Sequence, residues 1–207
     1  MALDQGQPVP PPADLAQRAL TLKTVSIDVG WCRIGKASYD PVHFTADAGR
    51  RFSQAGAPGV LYLANEPETA FWEVFWDDLM TRPERERRLD SAKLAERRLW
   101  ILTLPRQIRL VNTLDASAMH ELSAPDGTFQ GPYANCQAWA GALRVHPSRP
   151  DGLLYSSARR TGHWCLALFE EAFAGVRWDV PQPGVPLLQS LELAAAIGRH
   201  GFPRLSG

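Results

Sequence analysis

Residues 59–80, GVLYLANEPETAFWEVFWDDLM, read as a strand, a tight turn and a helix. Val60 to Ala64 has the aromatic and β-branched content of a strand. Asn65-Glu66-Pro67-Glu68 then supplies a cap, an acidic residue three positions on and a proline in the first turn. From Thr69 the helix carries Ala70, Phe71, Trp72, Val74, Phe75 and Trp76, apolar almost all round, which predicts burial. Glu73 is the exception. An ionised carboxylate among such neighbours needs a partner or a use. Helical spacing also sets Glu66, Thr69, Glu73 and Asp77 on one stripe, so a solvated polar face accounts for the same pattern. Tyr62, in the strand just before, brings a ring and a hydroxyl to a strand-to-helix turn, a common place for sites.

Length and composition bound what this segment can belong to. The chain has 207 residues, 45% of them hydrophobic and seven of them tryptophan, enough to bury a substantial core. We expect a lead-in with a short helix over 1–23 and one domain over 24–207. With 22 basic and 22 acidic residues the net charge is zero, which removes any global attraction to nucleic acid or an anionic membrane. Cys32, Cys136 and Cys165 are odd in number and far apart, which argues against a disulfide framework or a thiolate zinc site. The N-terminus lacks a secretory pattern and no run approaches the ~18 apolar residues of a membrane span, so a cytoplasmic protein is expected.

Around the opening segment, residues 13–22 read as a short helix and residues 24–34 as one alternating strand. In that strand Val25, Ile27, Val29 and Trp31 share a face that Arg33 continues. An inward Arg33 requires an anion; a strand that ends at Trp31 releases it to solvent. Residues 81–98 read as an exposed, ion-paired helix, and residues 100–111 as strand interrupted at Pro105. Residues 112–131 read as irregular and 133–143 as a helix. Asp151-Gly152 opens a hairpin whose strands are LLYSS and WCLALFE. Its alternation puts Ser157 inward after Leu153 and Tyr155, which suits either a site hydroxyl or a turn-forming serine. Residues 186–197 read as a closing amphipathic helix. Nucleophile-elbow, zincin, phosphate-loop and dinucleotide-fingerprint motifs are absent from the sequence.

Several short motifs occur in a telling order: Trp31-Cys32-Arg33, Gly49-Arg50-Arg51-Phe52, Gly59 through Ala64, Ala70 through Glu73, Gln137-Ala138-Trp139-Ala140, and Asp151 through Ser157. In order and spacing they resemble the RES-domain family, named for an arginine, a glutamate and a serine, over about residues 29–170. The sequence departs from the family near His43-Phe44, where relatives often carry a tyrosine.

The resemblance implies an α+β fold like that of ADP-ribosyltransferases, with small mixed or antiparallel sheets forming a cleft and helices around them. It implies a toxin that degrades NAD by cleaving the nicotinamide-ribose bond, with water or phosphate as acceptor. Transfer of ADP-ribose to a protein target is the alternative, and a non-catalytic partner- or nucleotide-binding module is the second. Catalytic roles fall on Arg33, Glu73 and Ser157. NAD contacts fall on Arg33, Arg51, Tyr62 and Ser157, with NAD as substrate and no metal. A carboxylate such as Glu73 suits an oxocarbenium-like transition state, and a guanidinium such as Arg33 suits pyrophosphate. The implied partner is an Xre-type helix-turn-helix antitoxin, with a homodimer as an allowed assembly and no direct contact with nucleic acid.

Overall fold

The computed structural model of the chain describes residues 9–83, 86–180 and 183–190. Among these residues eight strands form one sheet in the order β1-β5-β6-β7-β3-β2-β4-β8. They are β1 (Lys23–Val25), β2 (Gly30–Lys36), β3 (Val60–Ala64), β4 (Arg97–Thr103), β5 (Ile108–Asn112), β6 (Gly152–Ser156), β7 (Trp164–Phe169) and β8 (Val185–Pro186). Pairing is antiparallel except between β5 and β6. Among the described residues four helices accompany them: α1 (Pro67–Met80), α2 (Ser91–Ala95), α3 (Ala116–Leu122) and α4 (Tyr133–Arg144). The fold is therefore mixed α and β, as expected.

Where small sheets were expected, the strands form one sheet, whose two halves are joined at a single residue pair. β3 pairs with β7 over its whole length and β2 pairs with β4 over all seven residues, yet β2 and β3 meet only at Cys32 and Ala64. Beyond that pair the strands diverge, and the opening between them becomes a cleft. Period-two alternation along the strands divides the core. One face carries Cys32, Ile34, Ala64, Tyr155 and Cys165 under α1 and α4; the other carries Trp31, Leu61, Leu63, Trp100 and Leu102.

The strand-turn-helix reading of residues 59–80 is realised as β3 and α1. Glu66, not Asn65, holds the cap position, with Pro67 first in the helix. Asn65 still donates its backbone N–H to the Trp164 carbonyl and so remains in the sheet. Phe71, Trp72, Phe75 and Leu79 are buried, each contributing about 1.5–3 kcal/mol by leaving water.

Five expectations fail locally, the last over its described residues. Residues 24–34 are not one strand: β1 pairs with β5, β2 lies beside β4, and residues 27–29 turn between them with Ile27 and Val29 exposed. The Ser26 hydroxyl bonds to the Asp28 carboxylate and accepts the Asp28 N–H, a local alternative to strand pairing. Residues 81–98 are not one helix. Asp90 caps the five-residue α2 through the N–H groups of Ala92 and Lys93, and β4 begins at Arg97. The stretch 112–131 holds α3, capped by the Asp115 carboxylate. The helix expected over 13–22 is a short 3-10 turn, Leu15–Gln17. Most of the helix expected over 186–197 lies outside the described residues, but Val185–Pro186 is strand and Leu187–Gln189 a 3-10 turn.

Asp151-Gly152 does open the hairpin, for two reasons. The Asp151 carboxylate binds both terminal nitrogens of Arg106 at 2.7 and 3.1 Å and accepts the Arg109 N–H at 2.7 Å. At Gly152 a Cβ would stand 2.2 Å from the Ala167 carbonyl oxygen of the adjoining strand. Gly152→Ala is therefore expected to cost about 3 kcal/mol or more, because backbone rather than a flexible side chain must move. Equilibrium denaturation in urea measures it.

Candidate active site

The cleft where β2 parts from β3 has a volume of about 430 Å³. Its floor is a row of residues from four strands. Cys32 of β2 pairs with Ala64 of β3, Ala64 with Cys165 of β7, and Cys165 with Tyr155 of β6. All four line the cleft, and the helix above them contributes Glu73 and Val74.

Glu73 is half-buried and is not part of a solvated stripe. Ser157, 5% exposed, donates its hydroxyl to Glu73 Oε1 at 2.5 Å. The same Ser157 oxygen accepts the backbone N–H groups of Arg159 and Arg160, both at 3.1 Å. Two incoming donors polarise a hydroxyl and strengthen its own donation. The hairpin loop then covers the rest of the stripe. Arg160 pairs with Glu66 and donates to Thr69 Oγ1 at 3.1 Å. Arg159 pairs with Asp77 at 2.8 Å and lies over the Trp76 ring. Loop and helix thus meet as a zipper of opposite charges with the Ser157 to Glu73 bond at its centre. Glu73 Oε2 has no hydrogen-bond partner among the described residues.

Arg33, Arg51 and Tyr62 line the same cleft. Arg33 stays inward at the point where β2 leaves β3. It donates to the carbonyls of Pro41 and His43, which ties down the loop after β2. Burial lowers its pKa to about 10, partly offset by Asp40. Arg51 is 8% exposed, stands near the rings of Tyr133 and Tyr155, and leaves Nη1 buried without a partner. A buried guanidinium nitrogen without an acceptor marks a place for an anion. The segment carrying Arg51 is held from both sides. The Tyr62 hydroxyl accepts the Phe52 N–H and bonds the Ser53 hydroxyl, each at 3.0 Å, while Gln137 donates to the carbonyls of Ala48 and Arg50.

The structure therefore gathers Arg33, Arg51, Tyr62 and Glu73 in one cleft and puts Ser157 directly behind Glu73, outside the lining. It adds residues that the sequence reading did not single out. Tyr155 and Cys165 belong to the floor, and burial followed by nearby charges, Glu73 among them, pushes both up. Tyr39 lines the cleft and stacks on His43 with centroids 4.7 Å apart. Lys36, Arg50 and Arg97 complete the basic lining. The hairpin alternation could have located Tyr155; the others need the tertiary path of their loops. Among the described residues no group of three or more His, Cys, Asp or Glu is placed to hold a metal ion, and no helix is long and apolar enough to cross a membrane.

A cleft where two strands of one sheet part, with one anchored carboxylate and several guanidinium groups, is a site for a polar, anionic ligand. The RES-domain family model matches residues 31–189, and the chain belongs to that family. No curated protein matches the sequence. Among solved structures the fold is similar to a chain in the crystal structure of the M. tuberculosis MbcT-MbcA toxin-antitoxin complex. The TM-score is 0.66 at 18% identity, covering 89% of this chain and 98% of that one.

Burial pushes the phenols of Tyr62 and Tyr155 above their ordinary value of 10. The folded chain thus holds these protons more tightly than the unfolded one. The corresponding stability is complete below pH ~10 and is lost as pH rises beyond it. Titration followed by phenolate absorbance should show part of the tyrosine signal arriving only as circular dichroism reports unfolding.

Proposed function

We propose that this chain is a toxin-class enzyme with an ADP-ribosyltransferase-like fold that cleaves the nicotinamide-ribose bond of NAD. The observation that carries the reading is Glu73: one carboxylate oxygen is held by Ser157, and the other is left for the cleft that Arg33 and Arg51 also line. Family membership and the toxin-antitoxin structure of similar fold support the same class.

The chemistry follows from charge. As the C1′–N bond breaks, its electron pair leaves with neutral nicotinamide and positive charge develops on the ribose. Glu73 Oε2 stabilises that charge or holds a ribose hydroxyl, an interaction that strengthens in the transition state. Arg51, with its unpartnered nitrogen, binds the pyrophosphate with Arg33 beside it. Tyr62 and Tyr155 supply aromatic wall for the ribose-nicotinamide end. Water or phosphate then attacks C1′ and completes hydrolysis or phosphorolysis. Ser157 works through Glu73: its hydroxyl holds one carboxylate oxygen and so fixes the side chain's orientation. The proposed partner is an Xre-type helix-turn-helix antitoxin that restrains this activity in the cell.

Purified chain free of antitoxin should release nicotinamide from NAD, measured with and without phosphate. Glu73→Gln should lower the rate about 10²- to 10³-fold, and absence of release from the unmodified chain would sink the proposal. Labelled ADP-ribose recovered in small molecules supports water or phosphate as acceptor; label in protein would move the reading to a protein-modifying transferase.

A separate measurement addresses Ser157. Losing a hydrogen bond to a charged group costs about 1.5–3 kcal/mol, so Ser157→Ala should lower kcat by about one to two orders of magnitude with little change in KM. A raised KM with unchanged kcat would instead mean direct contact with substrate.

A further inference from the structure

Five cationic side chains but only two carboxylates line the cleft, and three of those cations are unexplained by Glu73, Arg33 and Arg51. Lys36, Arg50 and Arg97 come from the end of β2, the loop after it and the start of β4. Lys36 and Arg97 are direct cross-strand partners. Like charges in that relation repel, and two alternating strands put both side chains on the α1 side of the sheet. Arg97 lies over the Phe75 ring, 5.4 Å from its centroid. Burial first, and Arg50 second, hold the Arg97 guanidinium below its ordinary value.

The carboxylates nearby do not neutralise this group. Asp78 and Glu96 act on Arg97, but neither forms an ion pair with it among the described residues, and Asp78 is bound to Lys93 at 2.7 Å. Arg50 has exposed Asp47 at 3.5 Å. Lys36 has no ion pair among the described residues. Three separate segments thus bring repelling charges to one stretch of the cleft, at a cost that a bound anion offsets. A compact dianion fits three convergent cations better than a single carboxylate does.

We propose that Lys36, Arg50 and Arg97 form a subsite for a phosphate monoester or phosphate dianion, separate from the pyrophosphate contacts of Arg33 and Arg51. For a nicotinamide dinucleotide this extends the substrate class to the form with an additional phosphate on the adenosine ribose, NADP. The assignment of that source rests on the function proposed above; the anion subsite itself rests on the charge cluster.

The test compares NAD, NADP and inorganic phosphate by calorimetry at low salt on the Glu73→Gln chain, in which turnover is slowed about 10²- to 10³-fold. NADP should bind about tenfold tighter than NAD, and the ratio should fall toward one in Lys36→Gln/Arg97→Gln and, independently, in Arg50→Gln. The Arg50 variant changes an exposed loop and keeps the test valid if the double variant does not fold. Phosphate binding that is lost in the same variants, with NAD and NADP equal, supports the subsite and assigns it to free phosphate. Equal affinity for both dinucleotides with no phosphate binding overturns the proposal. If the unmodified chain cleaves neither dinucleotide while variant-sensitive phosphate binding persists, the NAD reading falls and the anion subsite stands.

Discussion

A single backbone pair, Cys32 with Ala64, joins the two halves of the sheet, and the remaining architecture follows from how little β2 and β3 share. Had the strands stayed paired to Lys36, hydrogen bonding would have closed the space that now holds Arg33, Arg51, Tyr62 and Glu73. Separation leaves backbone groups of β2 and β3 to be satisfied elsewhere. Thr45 exchanges two backbone hydrogen bonds with Val60 at the start of β3, in place of the β2 partner it lacks there, while β4 pairs with the opposite edge of β2 along its full length. The cleft is thus a consequence of sheet topology with walls from different parts of the chain.

Rigidity around the cleft comes from side chains that bond to backbone across it. Arg33 holds the loop after β2 by two carbonyls, Gln137 holds the Arg50-Arg51 segment by two more, and the Tyr62 hydroxyl meets the same segment at Phe52 and Ser53. None of these contacts is a surface ion pair of small net value. The bonds of Arg33 and Tyr62 satisfy partly buried groups, where a missing bond costs about 1–3 kcal/mol, whereas those of Gln137 are exposed and act mainly by fixing the segment's path. The exposed pair between Arg159 and Asp77 contributes less to stability; its consequence is geometric, because it helps keep the hairpin loop over α1 and Ser157 against Glu73.

Much of this was legible where local chemistry and long-range packing agree. Residues 59–80 contain both strand and helix signals and form β3 and α1 within a residue of the expected boundary. The hairpin of β6 and β7 was equally clear, because alternation through Leu153, Tyr155 and Ser157 matches a buried face. Legibility failed where one pattern spans two elements. Val25 to Arg33 alternates without a break, yet the Ser26-Asp28 contacts turn the chain and send β1 and β2 to different parts of the sheet. Residues 81–98 have helical charge spacing, but β4 needs Arg97 to Thr103 as the partner of β2, and pairing overrides a weak surface preference.

For the site, the sequence by itself determined the cast: a carboxylate misplaced in an aromatic helix, an arginine continuing an apolar face, a tyrosine before the helix and a serine at the end of an inward-facing row. Those are properties of periodicity, and periodicity is written in the chain. Only tertiary structure decided what each one does to the others. The cover that Arg159 and Arg160 give the Glu66-Asp77 stripe joins positions more than eighty residues apart. The turn of Ser157 toward Glu73 and the meeting of Lys36 with Arg97 likewise depend on strand order and loop path. Such contacts carry no local signal, because the residues that make them are chosen by where the sheet parts and not by their neighbours in sequence.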